Sequence, residues 1–178
     1  ANERSIFEKE KLSGVANGAV LTSKLTFLLP IVTAQSFWMA FFVKSMGDIP
    51  GSWHLQWGLL FLVTAAMTLI SLAISTWSRT SEQASLIAIY LVGFQLPLSG
   101  TVLALPDFLA PLIRPFISAY WAWSGYLQAL SETRFYDLVR QITQTPVAEP
   151  DTAVFVLCIH LCVALFISWL GLSRSQWE

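Results

Sequence analysis

The chain has 178 residues, of which 55% are hydrophobic and only 12% are charged, whereas about a quarter of the residues in a soluble domain are charged. This composition predicts a membrane protein. The formal net charge of −1 provides no basic surface, which excludes nucleic-acid binding.

Residues 1–24 concentrate charge ahead of the first apolar run, with seven of the 21 charged residues of the chain. Arg4 can pair with Glu8 at i,i+4 and Glu8 with Lys11 at i,i+3, which predicts a short helix from about residue 3 to residue 12. Its apolar residues do not form one stripe, so we expect it to dock on protein rather than lie on a bilayer. Glycine and asparagine between residues 14 and 18 predict a loosened connection to the membrane.

The chain begins at Ala1 without a methionine and opens on charged residues rather than on a basic stretch followed by an apolar one. These features predict that no signal peptide is present and that the sequence is a piece of a longer polypeptide.

Four apolar runs without charge predict four transmembrane helices, at 25–43, 55–77, 84–105 and 152–172. The 19 residues of the first run would form a helix about 28 Å long, close to the ~30 Å hydrocarbon core of a bilayer. Lys and Arg in the flanks number six on the side of the N-terminus and four on the other. This bias predicts that both termini are cytoplasmic, the last helix being followed by a short tail within 152–178.

The segment 106–151 differs from an ordinary loop, because its first half is apolar but is interrupted by three prolines. We expect an external segment that lies at the membrane interface or re-enters the membrane, followed by a short polar helix and a turn outside it. Four aromatic residues fit a belt at the level of the lipid headgroups: Tyr120, Trp121, Trp123 and Tyr126.

Polar residues inside the spans allow several interpretations. Cys158 and Cys162 share a helix face while His160 points about 200° away, so a regular helix does not bring the three onto one metal ion. Ser99 and His160 could form the nucleophile and base of an intramembrane enzyme, but a neutral His160 bonded to another helix is favoured.

A stripe of hydroxyl groups runs along the second predicted span. Such a stripe predicts close helix packing with hydrogen bonds between helices, and the alternative is that it lines a substrate path. Its members are Thr64, Thr68, Ser71 and Ser75.

Three stretches occur in the order found in one known family. They are Glu3-Arg4-x-x-Phe7-x-x-Glu10-x-x-x-Gly14 followed by Lys24, then Leu98-Ser99-Gly100-Thr101-Val102, then Ile117-Ser118 with Tyr126 and Gln128-Ala129-Leu130. Together they resemble the membrane domain of G-subfamily (White-type) ABC exporters.

The resemblance implies roles for particular residues. Glu3, Arg4, Phe7, Glu10 and Lys24 would belong to a coupling helix and its junction with the membrane, and would contact an ABC nucleotide-binding domain. A substrate path or gate would include Gln95, Ser99, Thr101 and Val102. Thr101 and Val102 stand where the family places two large aliphatic residues, which implies a less bulky gate.

The resemblance also implies an architecture: an all-α polytopic bundle with an N-terminal cytoplasmic coupling helix, four spans matching the family's third to sixth, and an external segment before the last one. The expected protein is the permease part of a dimeric exporter of amphipathic or lipid-like substrates in a bacterial inner membrane, in contact with lipid. ATP and Mg would bind in the nucleotide-binding domain and not in these residues. The alternatives are an intramembrane enzyme using Ser99 and His160, and a non-transporting assembly subunit.

Overall fold

A computed structural model describes residues 14–47, 49–101, 105–106, 108–143 and 145–174, with the backbone alone at position 174. Within these ranges every regular element is helical, which confirms the all-α prediction. The elements are α1 (Asn17–Gly47), α2 (Trp53–Trp77), α3 (Ser81–Leu98), α4 (Ala110–Ile113), a 3-10 turn (Arg114–Phe116), α5 (Ser118–Gln128), α6 (Arg134–Ile142) and α7 (Pro150–Arg174). The predicted coupling helix lies outside the described residues.

Three of these helices, α1, α2 and α7, are long and apolar enough to cross a membrane. Helix α3 has 18 residues and ends at Leu98 rather than at the predicted boundary at 105. It starts on the polar residues Ser81, Glu82 and Gln83, where the Thr80 side chain caps it by accepting a hydrogen bond from the Gln83 amide. The start of α3 is polar and its end contains Pro97, and α3 is not among the three helices that are long and apolar enough to span. A fourth transmembrane helix therefore stays a prediction.

Helix α1 begins earlier than expected. Only Gly14, with a φ of +91°, precedes it in a turn, whereas Asn17 and Gly18 are already helical. The Thr22 hydroxyl donates to the Gly18 carbonyl and the Thr26 hydroxyl to the Thr22 carbonyl, so the first turns are held by side chains as well as by the backbone. Lys24 therefore lies inside a 31-residue helix about 46 Å long.

Helices α2 and α7 run parallel and form the centre of the bundle. At one end, Leu59 packs with Ala153 and Leu157. At the other end, the Trp77 indole donates to the Ile167 carbonyl at 3.0 Å, and Gly171 lies directly against Thr76. Since α1 runs antiparallel to α2, the start of α1 and the end of α7 lie at the same end of the bundle.

Helix α5 packs against both α2 and α7, and its small residues permit this. A Cβ built on Gly125 would lie 2.6 Å from the Cβ of Ala153. Ser118, Ala122, Ser124 and Gly125 are buried. Tyr120 is buried within the bundle, which contradicts its predicted place in an aromatic belt at the headgroups, whereas Trp121 and Tyr126 are only partly buried against the core around Leu59, and for them the belt stays a prediction.

The hydroxyl stripe on α2 does not make the predicted hydrogen bonds between helices. The hydroxyls of Thr64, Thr68 and Ser71 donate to the carbonyls four residues earlier in their own helix. The buried residues Leu59, Ala66, Leu69 and Ala73 lie on the opposite side of α2 at 100° per residue. Apolar and small residues, rather than hydroxyls, thus form the packing face.

Candidate functional site at the start of helix α5

The start of α5 is completed by a residue of another helix. The first backbone N–H groups of a helix have no partner within the helix, and Ile117, which precedes α5, has no side chain that could accept from them. Instead, the Ala119 amide donates to Oε1 of Gln95 at 3.1 Å. Gln95 is the buried residue of α3. Its side-chain amide therefore plays the part of an N-cap for α5, supplied from α3.

His160 joins α7 to the same place. Its Nε2 lies 2.8 Å from the Pro115 carbonyl oxygen, and its Nδ1 lies 2.9 Å from Oγ of Ser118. A carbonyl oxygen can only accept, so in the neutral imidazole Nε2 carries the proton and Nδ1 accepts from the Ser118 hydroxyl. We refer to Gln95, Pro115, Ser118, Ala119 and His160 as the His160 network.

The His160 network lies within the bundle rather than at its end. His160 is about 15 Å from the first residue of α7, a helix about 37 Å long. The 3-10 turn and the start of α5 therefore enter the bundle to about two-fifths of the length of α7. This arrangement brings α3, the turn before α5, α5 itself and α7 together at one level.

A second set of contacts fixes the next turn of α5. The Tyr120 hydroxyl donates to the Pro146 carbonyl at 3.0 Å, and the Trp121 indole donates to the Arg114 carbonyl at 3.1 Å. The Arg114 guanidinium lies 5.5 Å from the centre of the Tyr120 ring, within range of a cation–π interaction. Burial raises the pKa of the Tyr120 phenol, and Arg114 opposes this only in part. A phenol is protonated at neutral pH without any shift, so the Tyr120 hydroxyl is available as a donor.

Two predicted gate residues, Ser99 and Thr101, lie in the turn that follows α3. The Ser99 hydroxyl is bonded to the Leu96 carbonyl at 2.6 Å and to the Thr101 hydroxyl at 2.8 Å. Gly100 has a φ of +81°, and its carbonyl accepts from the Thr145 hydroxyl at 2.9 Å. The turn is therefore attached to the segment that leads into α7.

The remaining predicted site residues are distributed as follows. Gln95 belongs to the His160 network, and Lys24 lies near the opposite end of the bundle, in α1. Glu3, Arg4, Phe7, Glu10 and Val102 lie outside the described residues.

The structure gives the Ser99–His160 pair no support. Ser99 bonds within its own turn, whereas His160 bonds to Ser118 and Pro115. Ser118 itself is fully buried, so a substrate carbonyl cannot reach its hydroxyl. Within the described parts of the chain, no group of three or more His, Cys, Asp and Glu side chains could hold a metal ion. The site is suited to positioning the 3-10 turn and α5 rather than to chemistry.

Sequence reasoning identified His160 as bonded to another helix but not Ser118 and Pro115 as its partners. A signal for the orientation of His160 was present in the sequence. Ala153, Leu157, Ala164 and Ser168 recur at spacings of four and seven and are the buried face of α7. His160 falls on the same face at 100° per residue, which predicts that it points into the bundle.

No match was found among curated proteins. The sequence model of the family described as ABC-2 type transporter, a membrane component, matches residues 1–130 of the 178. This region includes α1, α2, α3 and α5, hence all members of the His160 network except His160. Together with the three apolar helices, the match makes the chain an integral membrane protein that belongs to the ABC-2 type transporter family.

Proposed function

We propose that the chain is part of the permease domain of an ATP-driven exporter of the G subfamily, which moves an amphipathic or lipid-like substrate out of the cell. The family match over residues 1–130 carries this proposal, because it covers the charged N-terminal segment together with the helices behind it. The nucleotide-binding domain, where ATP and Mg would bind, is a partner encoded upstream or as a separate subunit. A second copy of the membrane domain completes the transporter.

Helix α1 supports a mechanical link between the two domains. It runs without interruption from Asn17 to Gly47, immediately after the segment that contains Glu3, Arg4, Phe7 and Glu10. A movement imposed on that segment from the cytoplasmic side would pass along this one helix, in which Pro30 removes a single backbone hydrogen bond, to the outer end. There, the Lys44 ammonium group donates to the Gly51 carbonyl at 2.7 Å, and a Cβ on Gly51 would lie 3.1 Å from Leu130, beside the end of α5.

The His160 network supports the proposal that the outer half of the bundle contains the substrate path. It holds α5 between α2 and α7, while the turn Ser99-Gly100-Thr101 lies on the segment before α7. Displacement of α1 and the adjoining loop would reach the end of α5, and a path bordered by Gln95, Ser99, Thr101 and Val102 would open or close with it. The orientation consistent with this mechanism places both termini in the cytoplasm of a bacterial cell.

The experiment uses the complete transporter, with its nucleotide-binding domain, reconstituted in lipid vesicles. Glu10→Ala removes a carboxylate from the proposed coupling helix. We expect normal membrane insertion and a loss of substrate-stimulated ATP hydrolysis and of transport, because the charged contact that orients the helix is missing.

Glu82→Ala is the matched control, since it removes an exposed carboxylate from the first turn of α3. It should leave coupling unchanged. Full coupling in Glu10→Ala, or an equal loss in both variants, would contradict the proposal. A chain that associates with no nucleotide-hydrolysing subunit at all would favour a non-transporting assembly subunit.

A further inference from the structure

Helix α6 is amphipathic, and its apolar face is exposed. Phe135, Leu138 and Ile142 lie within about 60° of arc at 100° per residue. Their side chains are 45%, 51% and 84% exposed. The helix has nine residues, and these three make up most of its apolar face. Most of the apolar surface of α6 therefore points away from the bundle.

The opposite side of α6 is the one attached to the protein. The Tyr136 hydroxyl donates to Oε1 of Gln128 at 3.3 Å, which joins α6 to the end of α5. The Arg140 guanidinium donates to the Thr145 carbonyl at 2.6 Å. In a helix surrounded by water, the apolar face would pack on the protein and the polar face would be exposed. In α6 this arrangement is reversed, which indicates that an apolar environment other than the protein core covers its exposed face.

The attachments of α6 place it at the outer ends of the membrane helices. Seven residues, 143–149, separate it from the start of α7. Within them, Thr145 is bonded to Gly100 directly after α3, and the Pro146 carbonyl accepts from Tyr120. On its other side, α6 follows α5 after only five residues. The helix therefore cannot leave the end of the bundle at which α3 stops and α7 starts.

Other exposed apolar side chains lie at the same end of the bundle as α6. At the same end of the bundle, Phe94 and Leu96 near the end of α3 are 60% and 63% exposed, and Phe155 near the start of α7 is 67% exposed. Arg134 is exposed at the edge of the apolar face of α6, about 100° from Phe135, where a guanidinium can reach lipid phosphates while the apolar side chains lie deeper.

We propose that α6 is an interfacial helix, which lies on the outer leaflet of the bilayer with Phe135, Leu138 and Ile142 inserted among the lipid chains and Arg134 at the phosphate level. Lipid is the occupant of this face because each tether of α6 leads into a membrane-embedded element and the neighbouring exposed surfaces are apolar. The helix holds the external end of α5 at a defined height. This inference requires a membrane-embedded bundle and, for the choice of leaflet, the proposed orientation with both termini in the cytoplasm, but not the proposed export activity.

Nitroxide labels test the proposal on the complete transporter in vesicles of phosphatidylcholine and phosphatidylglycerol. The two exposed cysteines are first removed by Cys158→Ala and Cys162→Ala. Single labels are then attached in Leu138→Cys and Ile142→Cys on the apolar face, and in Asp137→Cys on the opposite face as the matched control. All three positions are exposed, so the labels disturb the packing little. Collision rates with oxygen, which concentrates in lipid, and with a water-soluble nickel complex are measured.

We expect an oxygen-to-nickel collision ratio severalfold higher at positions 138 and 142 than at position 137. A ratio equal on both faces, with free access of the nickel complex, would show that the face is in water and would overturn the proposal. So would strong spin–spin broadening at positions 138 and 142, since it would show that a second copy of the chain covers them. Phe155→Cys in α7, one of the helices long and apolar enough to cross a membrane, serves as the reference for a label in lipid.

Discussion

Nδ1 of His160 is hydrogen-bonded to the Ser118 hydroxyl at 2.9 Å while Nε2 of the same ring donates to the Pro115 carbonyl, so that one imidazole joins α7 to both the 3-10 turn and the start of α5. Nε2 carries a proton because a carbonyl oxygen can only accept, whereas the Ser118 hydroxyl can pair with Nδ1 as donor or as acceptor. The relationship assigns His160 a positioning role between a spanning helix and the segment that enters the bundle.

Replacement of His160 should destabilise the protein more than replacement of Ser118. In His160→Leu, the Pro115 carbonyl and the fully buried Ser118 hydroxyl lose their partner, and each unsatisfied group costs ~1–3 kcal/mol. In Ser118→Ala, only the bond at Nδ1 is lost. Thermal unfolding of the purified protein in detergent measures the difference.

The matched control is Cys162→Ala, on an exposed position two residues further along α7. Its melting temperature should stay close to that of the unmodified protein. The double variant His160→Leu with Ser118→Ala should be less destabilised than the sum of the single changes, because the two residues interact. Strict additivity would argue against the hydrogen bond.

The glycine at position 125 should tolerate no side chain. A Cβ there would lie 2.6 Å from the Cβ of Ala153, so Gly125→Ala must push α5 away from α7, an overpacking that costs ~1–3 kcal/mol. Gly58→Ala in α2 is the control, because a Cβ at that position meets nothing within 4 Å. Alanine is the better helix former, so the control should be neutral or stabilising by up to ~1 kcal/mol. Equal melting temperatures would contradict the close contact of α5 and α7.

The amide of Gln95 should control the order of the first turn of α5. Gln95→Met keeps the length of the side chain but removes the acceptor for the Ala119 amide, whereas Gln95→Glu keeps an oxygen at the same place. We expect faster hydrogen exchange in a peptide that includes residues 117–121 for Gln95→Met and little change for Gln95→Glu. Faster exchange confined to Gln95→Glu would contradict the capping role.

The sequence predicts the membrane class and the central helices because these depend on hydrophobicity over long windows. The runs at 55–77 and 152–172 correspond to α2 and α7 almost residue by residue. Boundaries set by local contacts were predicted less well. Helix α1 starts at Asn17 although Asn17 and Gly18 are poor helix formers, and α3 stops at Leu98, after which the chain turns at Gly100 and the Gly100 carbonyl accepts from Thr145.

The candidate site and the segment 106–151 show most clearly what local sequence patterns do not predict. The hydrogen bond between Gln95 and Ala119 joins residues 24 positions apart, and that between Ser118 and His160 joins residues 42 positions apart, so neither follows from helical spacing. Helix α6 was predicted as a short polar helix from its charged residues. The structure shows an amphipathic one, because Phe135, Leu138 and Ile142 fall on one face.

The packing of α5 against α7 has a consequence for how the protein is assembled during synthesis. The inner surface of α5, including Ser118 and Gly125, is covered in part by α7, which is made later in the chain. Until α7 has been inserted, the Ser118 hydroxyl has no His160 to bond with and Gly125 has no Ala153 to pack against. Completion of this part of the bundle therefore waits for translation to pass α7, and a ribosome stalled before it would leave an intermediate for quality-control proteases to recognise.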